Sequence, residues 1–248
     1  QGFPSIRSKN SSPLPEFYHP QFINTNVDLM AIAEGIAKSQ SCRMCFYGPP
    51  GTGKTTVAKN LAQELGYIYF DTGSMYRAIT YGVIANKIDL DDENALKVFL
   101  ESHPVTIETH FDEKRIFLAG SEVTSKIRTA EVTNLVSKVS SIRAVRDTLV
   151  ATQRTLSKGV NAVFEGRDMG SAVFPDADIK IFLTASLEVR AKRRYNELIA
   201  KNPEDSSLTL DGVLADIDRR DKYDASRDIS PMKAAEDSIL IDTSNLSC

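Results

Sequence analysis

Nine residues, GPPGTGKTT at positions 48–56, combine the residue types and the spacing needed to hold a row of phosphates. Gly48, Gly51 and Gly53 let the backbone wrap closely and turn successive N–H groups inward onto phosphate oxygens. A helix beginning directly afterwards adds the partial positive charge of its N-terminus. Lys54 is placed to reach the outer phosphates and the Thr55 hydroxyl to ligate Mg²⁺, with Pro49, Pro50, Thr52 and Thr56 completing the cradle. The chemistry implied is binding of a nucleoside triphosphate.

Two arginines stand just beyond apolar runs that read as strands: Arg77, one helical turn after Asp71-Thr72-Gly73, and Arg167, within Glu165-Gly166-Arg167-Asp168. If those strands are neighbours, both face the same crevice as Lys54, because ligands of open α/β sheets gather beyond the carboxyl ends of the strands. A guanidinium suits phosphate, gripping it through two hydrogen bonds and never losing its charge. Farther on come Arg190, Lys192, Arg193 and Arg194, then Arg219, Arg220, Asp224 and Arg227. A charge run is ordinarily a solvated helix face. Phosphoryl transfer, however, gathers negative charge between two anionic substrates and is catalysed by positioning and neutralisation. An arginine-rich helical lid over about 186–228 answers that need and also expels water.

These residues require elements to carry them. Residues 42–47 (CRMCFY) read as a buried strand and 57–65 as an amphipathic helix; 67–70 (YIYF) read as a second strand, followed by a helix from 74 to 87. That rhythm predicts an α/β fold, a parallel sheet covered by helices on both faces. The pattern then changes: VTIETHF and KRIFLAGSEVT form an expected antiparallel hairpin, with one or two polar helices over 124–158. Residues 100–155 therefore read as an inserted subdomain, between core segments 42–99 and 156–248. NAVFEGRD, DIKIFLTA and SILIDTS return to strand character, and two charged helices lie at 186–200 and across LDGVLADIDRRDKY. Residues 1–41 read as a flexible leader, rich in Ser, Pro and Asn, with a possible short helix over 27–38.

Composition narrows the classes. The chain has 248 residues, 42% of them hydrophobic, which excludes wholesale disorder. A net charge of −3 gives no nucleic-acid surface, and no apolar run approaches a membrane span or a signal peptide. Three cysteines suit a reducing, cytoplasmic setting. Cys42 and Cys45 form a lone C-x-x-C whose members point to opposite faces of a strand, so they read as core residues rather than as a metal pair. His19, His103 and His110 are scattered.

In FDTGSMYRA (70–78), SEVTSKIRTAEVTNLVSKVSSIRAVR (121–146), EGRDMGSAVFPDADIKIFL (165–183) and RRDKYDASR (219–227), the chain resembles the bacterial-type cytidylate kinases of the nucleoside monophosphate kinase fold, over about residues 44–246. The resemblance implies that residues 48–56 cradle ATP, and that Arg77, Arg167 and Arg227 hold the phosphate of CMP or dCMP, near Thr72 and Gly73. It gives Arg220 and Asp224 to the sugar, and Ser137, Arg146 and Asp168 to the cytosine edge. Cytosine offers both a donor and acceptors, so a pocket that reads it needs both in return. The resemblance makes the insert a monophosphate-binding subdomain, puts Arg190, Arg193 and Arg194 in the lid, and assigns catalysis to Lys54, Arg167 and Arg193. The general phosphate-loop pattern, rather than the resemblance, puts Mg²⁺ at Thr55, and the chain is expected to act as a cytoplasmic monomer.

The chain departs from the usual pattern at Thr55, where the family carries Gly, and at Glu165, where it often carries Asp. Two other readings stand beside this one. One is a kinase of a different small acceptor such as UMP. The other starts from GPPGTGKT and makes the chain an AAA+-type ATPase switch, although no Asp-Glu pair follows NAVF or DIKIFL as such a switch requires.

Overall fold

The computed structural model describes residues 42–110, 113–201, 203–204 and 207–246. The expected leader and its helix over 27–38 lie outside them. Strand β1 (Arg43–Tyr47) is buried along almost its whole length, as a central strand covered on two faces should be. Met44 and Phe46 pack with Cys42 on one face, while Cys45 and Tyr47 pack with Phe164 and Phe174 on the other. The two cysteines therefore do point apart, and burial pushes the Cys42 thiol up to about 11 and that of Cys45 higher still. Helix α1 (Lys54–Leu65) follows, with left-handed glycines, Gly53 and Gly66, at its two ends.

Next come β2 (Ile68–Asp71) and α2 (Thr72–Ala85). Asp71 ends the strand and caps the helix, its carboxylate accepting from the Ser74 amide. Helix α3 (Glu93–Ser102), capped by Asp92, was not read from the sequence. It buries Leu96, Phe99 and Leu100, the i, i+3, i+4 spacing of an amphipathic helix.

Strands β3 (Val105–His110), β4 (Glu113–Leu118) and β5 (Ser121–Glu122) form a separate antiparallel sheet. The expected hairpin is present, but its second run is broken in two. Ala119 and Gly120 both take positive φ, 49° and 76°, and turn the chain back on itself. Helices α4 (Ala130–Val139) and α5 (Arg143–Leu156) complete this region.

The chain returns to the main sheet at β6 (Ala162–Gly166) and passes through a π-helical turn at Met169–Val173. It then runs through β7 (Ile179–Thr184), α6 (Leu187–Lys201), α7 (Leu210–Ala225) and β8 (Ile239–Asp242). The main sheet has the order β2-β6-β1-β7-β8, every neighbouring pair parallel. Helix α1 covers one face through Ala58 and Ala62; the π-helical turn and α5, through Val150 and Leu156, cover the other. Among the described residues no helix is long and apolar enough to cross a membrane.

Candidate active site

The sheet register aligns the strand ends. Tyr47 pairs with Gly166 and with Phe182, and Asp71 pairs with Glu165. The loop after β1, the Asp71–Gly73 corner and the Glu165–Asp168 segment therefore open on one crevice. At Gly48, with φ of 130°, an added Cβ would lie 2.3 Å from the Leu183 carbonyl oxygen; at Gly51, with φ of 77°, it would press on Arg190 at 3.0 Å. No other residue fits these turns without moving the backbone behind them.

Within the loop, Lys54 is buried and donates to the Pro49 carbonyl at 3.2 Å. Its ammonium lies 3.4 Å from Glu165, a buried carboxylate that also accepts from Thr55 at 3.1 Å and from Tyr69 at 3.4 Å. Burial pushes the Glu165 carboxyl up and the Lys54 ammonium down, and their mutual attraction opposes both shifts. Thr72 donates to the Glu165 carbonyl at 2.7 Å, fastening the start of α2 to the end of β6.

A continuous polar chain runs away from this point. Arg167 pairs with Asp224 at 2.9 Å, and Asp224 with Arg227 at 2.5 Å. Arg227 donates to the Ser140 hydroxyl at 2.9 Å and to the Ser137 carbonyl at 3.4 Å. The Ser140 carbonyl accepts from Arg146, which forms a short ion pair with the buried Asp168. Burial raises the Asp168 carboxyl, and Arg146 pulls it back. Arg77 joins from α2, donating to the Thr133 hydroxyl at 2.9 Å while Arg220 donates to the Thr133 carbonyl at 3.0 Å. Burial, then the guanidinium charges of Arg128 and Arg220, bring Arg77 down to about 10. An anion placed among these guanidiniums would relieve the repulsion that Arg77 meets there.

The structure thus brings together Lys54, Thr55, Thr72, Arg77, Ser137, Arg146, Arg167, Asp168, Arg220, Asp224 and Arg227. Arg193 stands apart from them: it donates to the backbone carbonyls of Gly51, Thr243 and Leu246 at 3.4, 2.6 and 2.7 Å. Arg190 is likewise committed, to the Ala185 and Pro50 carbonyls and to Asp221. Arg194 pairs with Glu197 on the surface, yet its charge bears on Arg77 and Arg220. Sequence reasoning gave no role to Glu165, Arg128, Thr133 or Ser140. Glu165 carried a signal, as an acid closing an otherwise apolar run; Thr133 and Ser140 carried none, since hydroxyls on polar helices are common. Arg128, 68% exposed and 3.2 Å from Asp71, is set near Arg77 only by the fold.

Comparison with known proteins gives a consistent picture. A family model described as cytidylate kinase matches residues 44–248. The cytidylate kinase of Protochlamydia amoebophila is 53% identical over 201 residues, 81% of this chain and 88% of that protein. That of Halalkalibacterium halodurans is 46% identical over 200 residues, 81% and 89% of the two chains. The cytidylate kinase of Bacillus subtilis is 44% identical over 200 residues, 81% and 88%.

Proposed function

The chain belongs to the cytidylate kinase family, and from that membership we propose that it transfers the γ-phosphoryl group of ATP to CMP or dCMP, forming ADP and CDP or dCDP. Membership displaces the reading as an AAA+-type switch. The observation that carries the substrate assignment is the unbroken line of polar contacts from Arg167 through Asp224, Arg227 and Ser140 to Arg146 and Asp168. It gives one crevice a cationic end beside Lys54 and a mixed donor and acceptor end beneath the insert.

Residues 48–56 hold the triphosphate of ATP, with Lys54 exchanging part of its contact with Glu165 for a phosphate oxygen. Arg77, Arg167 and Arg227 take the monophosphate, whose charge competes with Asp224 for the two arginines now paired to it. Asp224 and Arg220 then face the sugar. Arg146 and Asp168, with Ser137, offer cytosine a donor and an acceptor; uracil would leave buried groups unpaired and so bind less well. The acceptor oxygen attacks the γ-phosphorus in line while both substrates are bound, with no covalent enzyme intermediate. Thr55 and Glu165 present a hydroxyl and a carboxylate, hard oxygen donors that fit Mg²⁺. Bound there, the ion would neutralise charge on the donor phosphates. We read Arg193 as fixing the loop and the strand end behind it. We further propose that it acts in the cytoplasm as a monomer, a reading that the supply of both ends of the crevice by one chain supports.

The test is ADP release with each nucleoside monophosphate in turn. CMP should start rapid release and UMP or AMP a slower one. ATP hydrolysis at the same rate with and without CMP would overturn the assignment.

A further inference from the structure

We propose that Arg128, from the segment between β5 and α4, is a further phosphate-binding residue that grips the acceptor phosphate beside Arg77 while Asp71 steadies its guanidinium. This rests on the reading of Arg77 given above and deepens it.

The backbone on both sides of Arg128 is pinned. Ile127 is buried in the core cluster, and its carbonyl accepts from Arg77 at 3.3 Å. Thr129 caps α4, its hydroxyl accepting from the Val132 amide at 3.3 Å. One helical turn on, Thr133 accepts from Arg77 through its hydroxyl and from Arg220 through its carbonyl. Residues 127–133 thus form the frame on which two arginines of the crevice rest, and Arg128 lies within it. Its side chain, by contrast, is 68% exposed and meets Asp71, at the end of β2, at 3.2 Å.

Stability does not account for this arginine. Asp71 already accepts from the amide and the hydroxyl of Ser74, so it caps α2 without a third donor. An ion pair so exposed adds little. Arg128 is also the foremost charge lowering Arg77, and like charges brought together oppose folding. Arg167 and Arg227 differ, because their shared partner Asp224 is buried. The contact with Asp71 uses one terminal nitrogen of a fork that carries five N–H groups. The rest of the fork stays available to an anion held by Arg77, with no change of backbone. A charge-assisted bond to phosphate outweighs the exposed pair.

Arg128→Gln and Arg128→Lys test this in the full chain by titration with CMP and with ATP and by thermal unfolding of the free protein. Both variants should unfold at the temperature of the unaltered protein, because the pair they lose is exposed. Arg128→Gln should bind CMP about tenfold more weakly, with ATP binding unchanged. Arg128→Lys keeps the charge without the fork and should fall between the two. Unchanged CMP binding in Arg128→Gln would overturn the proposal. So would equal losses for CMP and ATP, or a loss of CMP binding that tracks a lowered melting temperature, since either marks a structural tie to Asp71. An unaltered protein that binds no CMP would remove the acceptor reading itself, whereas CMP binding indifferent to both changes sinks the role of Arg128 alone.

Discussion

Arg77 is half-buried, and both of its hydrogen-bond partners, the Ile127 carbonyl and the Thr133 hydroxyl, are uncharged. Such a guanidinium gains most when a phosphate arrives. Arg77→Ala should therefore raise the CMP concentration at half-saturation at least tenfold, since hydrogen bonds to charged groups are worth about 1.5–3 kcal/mol, with ATP binding intact; loss of ATP binding in a titration would contradict the placement. Glu165 behaves differently, because it faces Lys54 inside the protein. Glu165→Gln leaves that ammonium without its counter-charge, and breaking a buried pair costs about 3–5 kcal/mol. The melting temperature of this variant should fall, then recover on saturation with ATP by more than the unaltered protein gains. Equal gains in the two proteins would show that the phosphates do not replace the carboxylate.

Elements hold these residues through backbone geometry as much as through side chains. Gly48→Ala would drive a Cβ against the Leu183 carbonyl of β7. The loop must then shift, so nucleotide binding and melting temperature should fall together. A variant that melts normally and binds ATP normally would refute the tightness of this turn. Asp92 accepts from the Asn94 and Ala95 amides and starts α3. Asp92→Ala should cost about 1 kcal/mol of stability in denaturant unfolding and leave the requirement for CMP unchanged, because α3 contributes core rather than site. The missed α3 and the split of β4 from β5 share one cause. Short elements whose apolar residues join a cluster shared by α2, α5 and the small sheet are decided by that packing, and isolated periodicity is a weak guide to it.

Across the whole molecule, α7 and the residues just after it are fastened to the α4–α5 region by Arg220 to the Thr133 carbonyl, by Arg227 to the Ser137 carbonyl and the Ser140 hydroxyl, and by Tyr223 to Ser141. The last is exposed and joins two uncharged hydroxyls at 2.9 Å, so it can be removed cleanly. Tyr223→Phe should change stability by no more than about 1 kcal/mol, yet raise the CMP requirement by a few-fold without affecting ATP, because it loosens one side of the crevice against the other. A rise for ATP instead would place the effect on the wrong side of the sheet.

The phosphate loop, the parallel sheet and the charged helices were legible in the residue order, because each depends on local spacing: glycines at fixed offsets, apolar runs of strand length and helical periodicity. The resemblance supplied most of the arginines on the same terms. Tertiary structure alone decided which cation faces which partner. Arg77, Arg167 and Arg227 belong to three elements far apart in the chain, and only the alignment of β1, β2 and β6 and the return of α7 bring them to one crevice. Arg193 and Arg194 are adjacent in sequence, yet one is spent on backbone carbonyls and the other carries its charge toward Arg77. A side chain's charge is written in the sequence, but its work is set by distance and burial, and those exist only once the chain has folded.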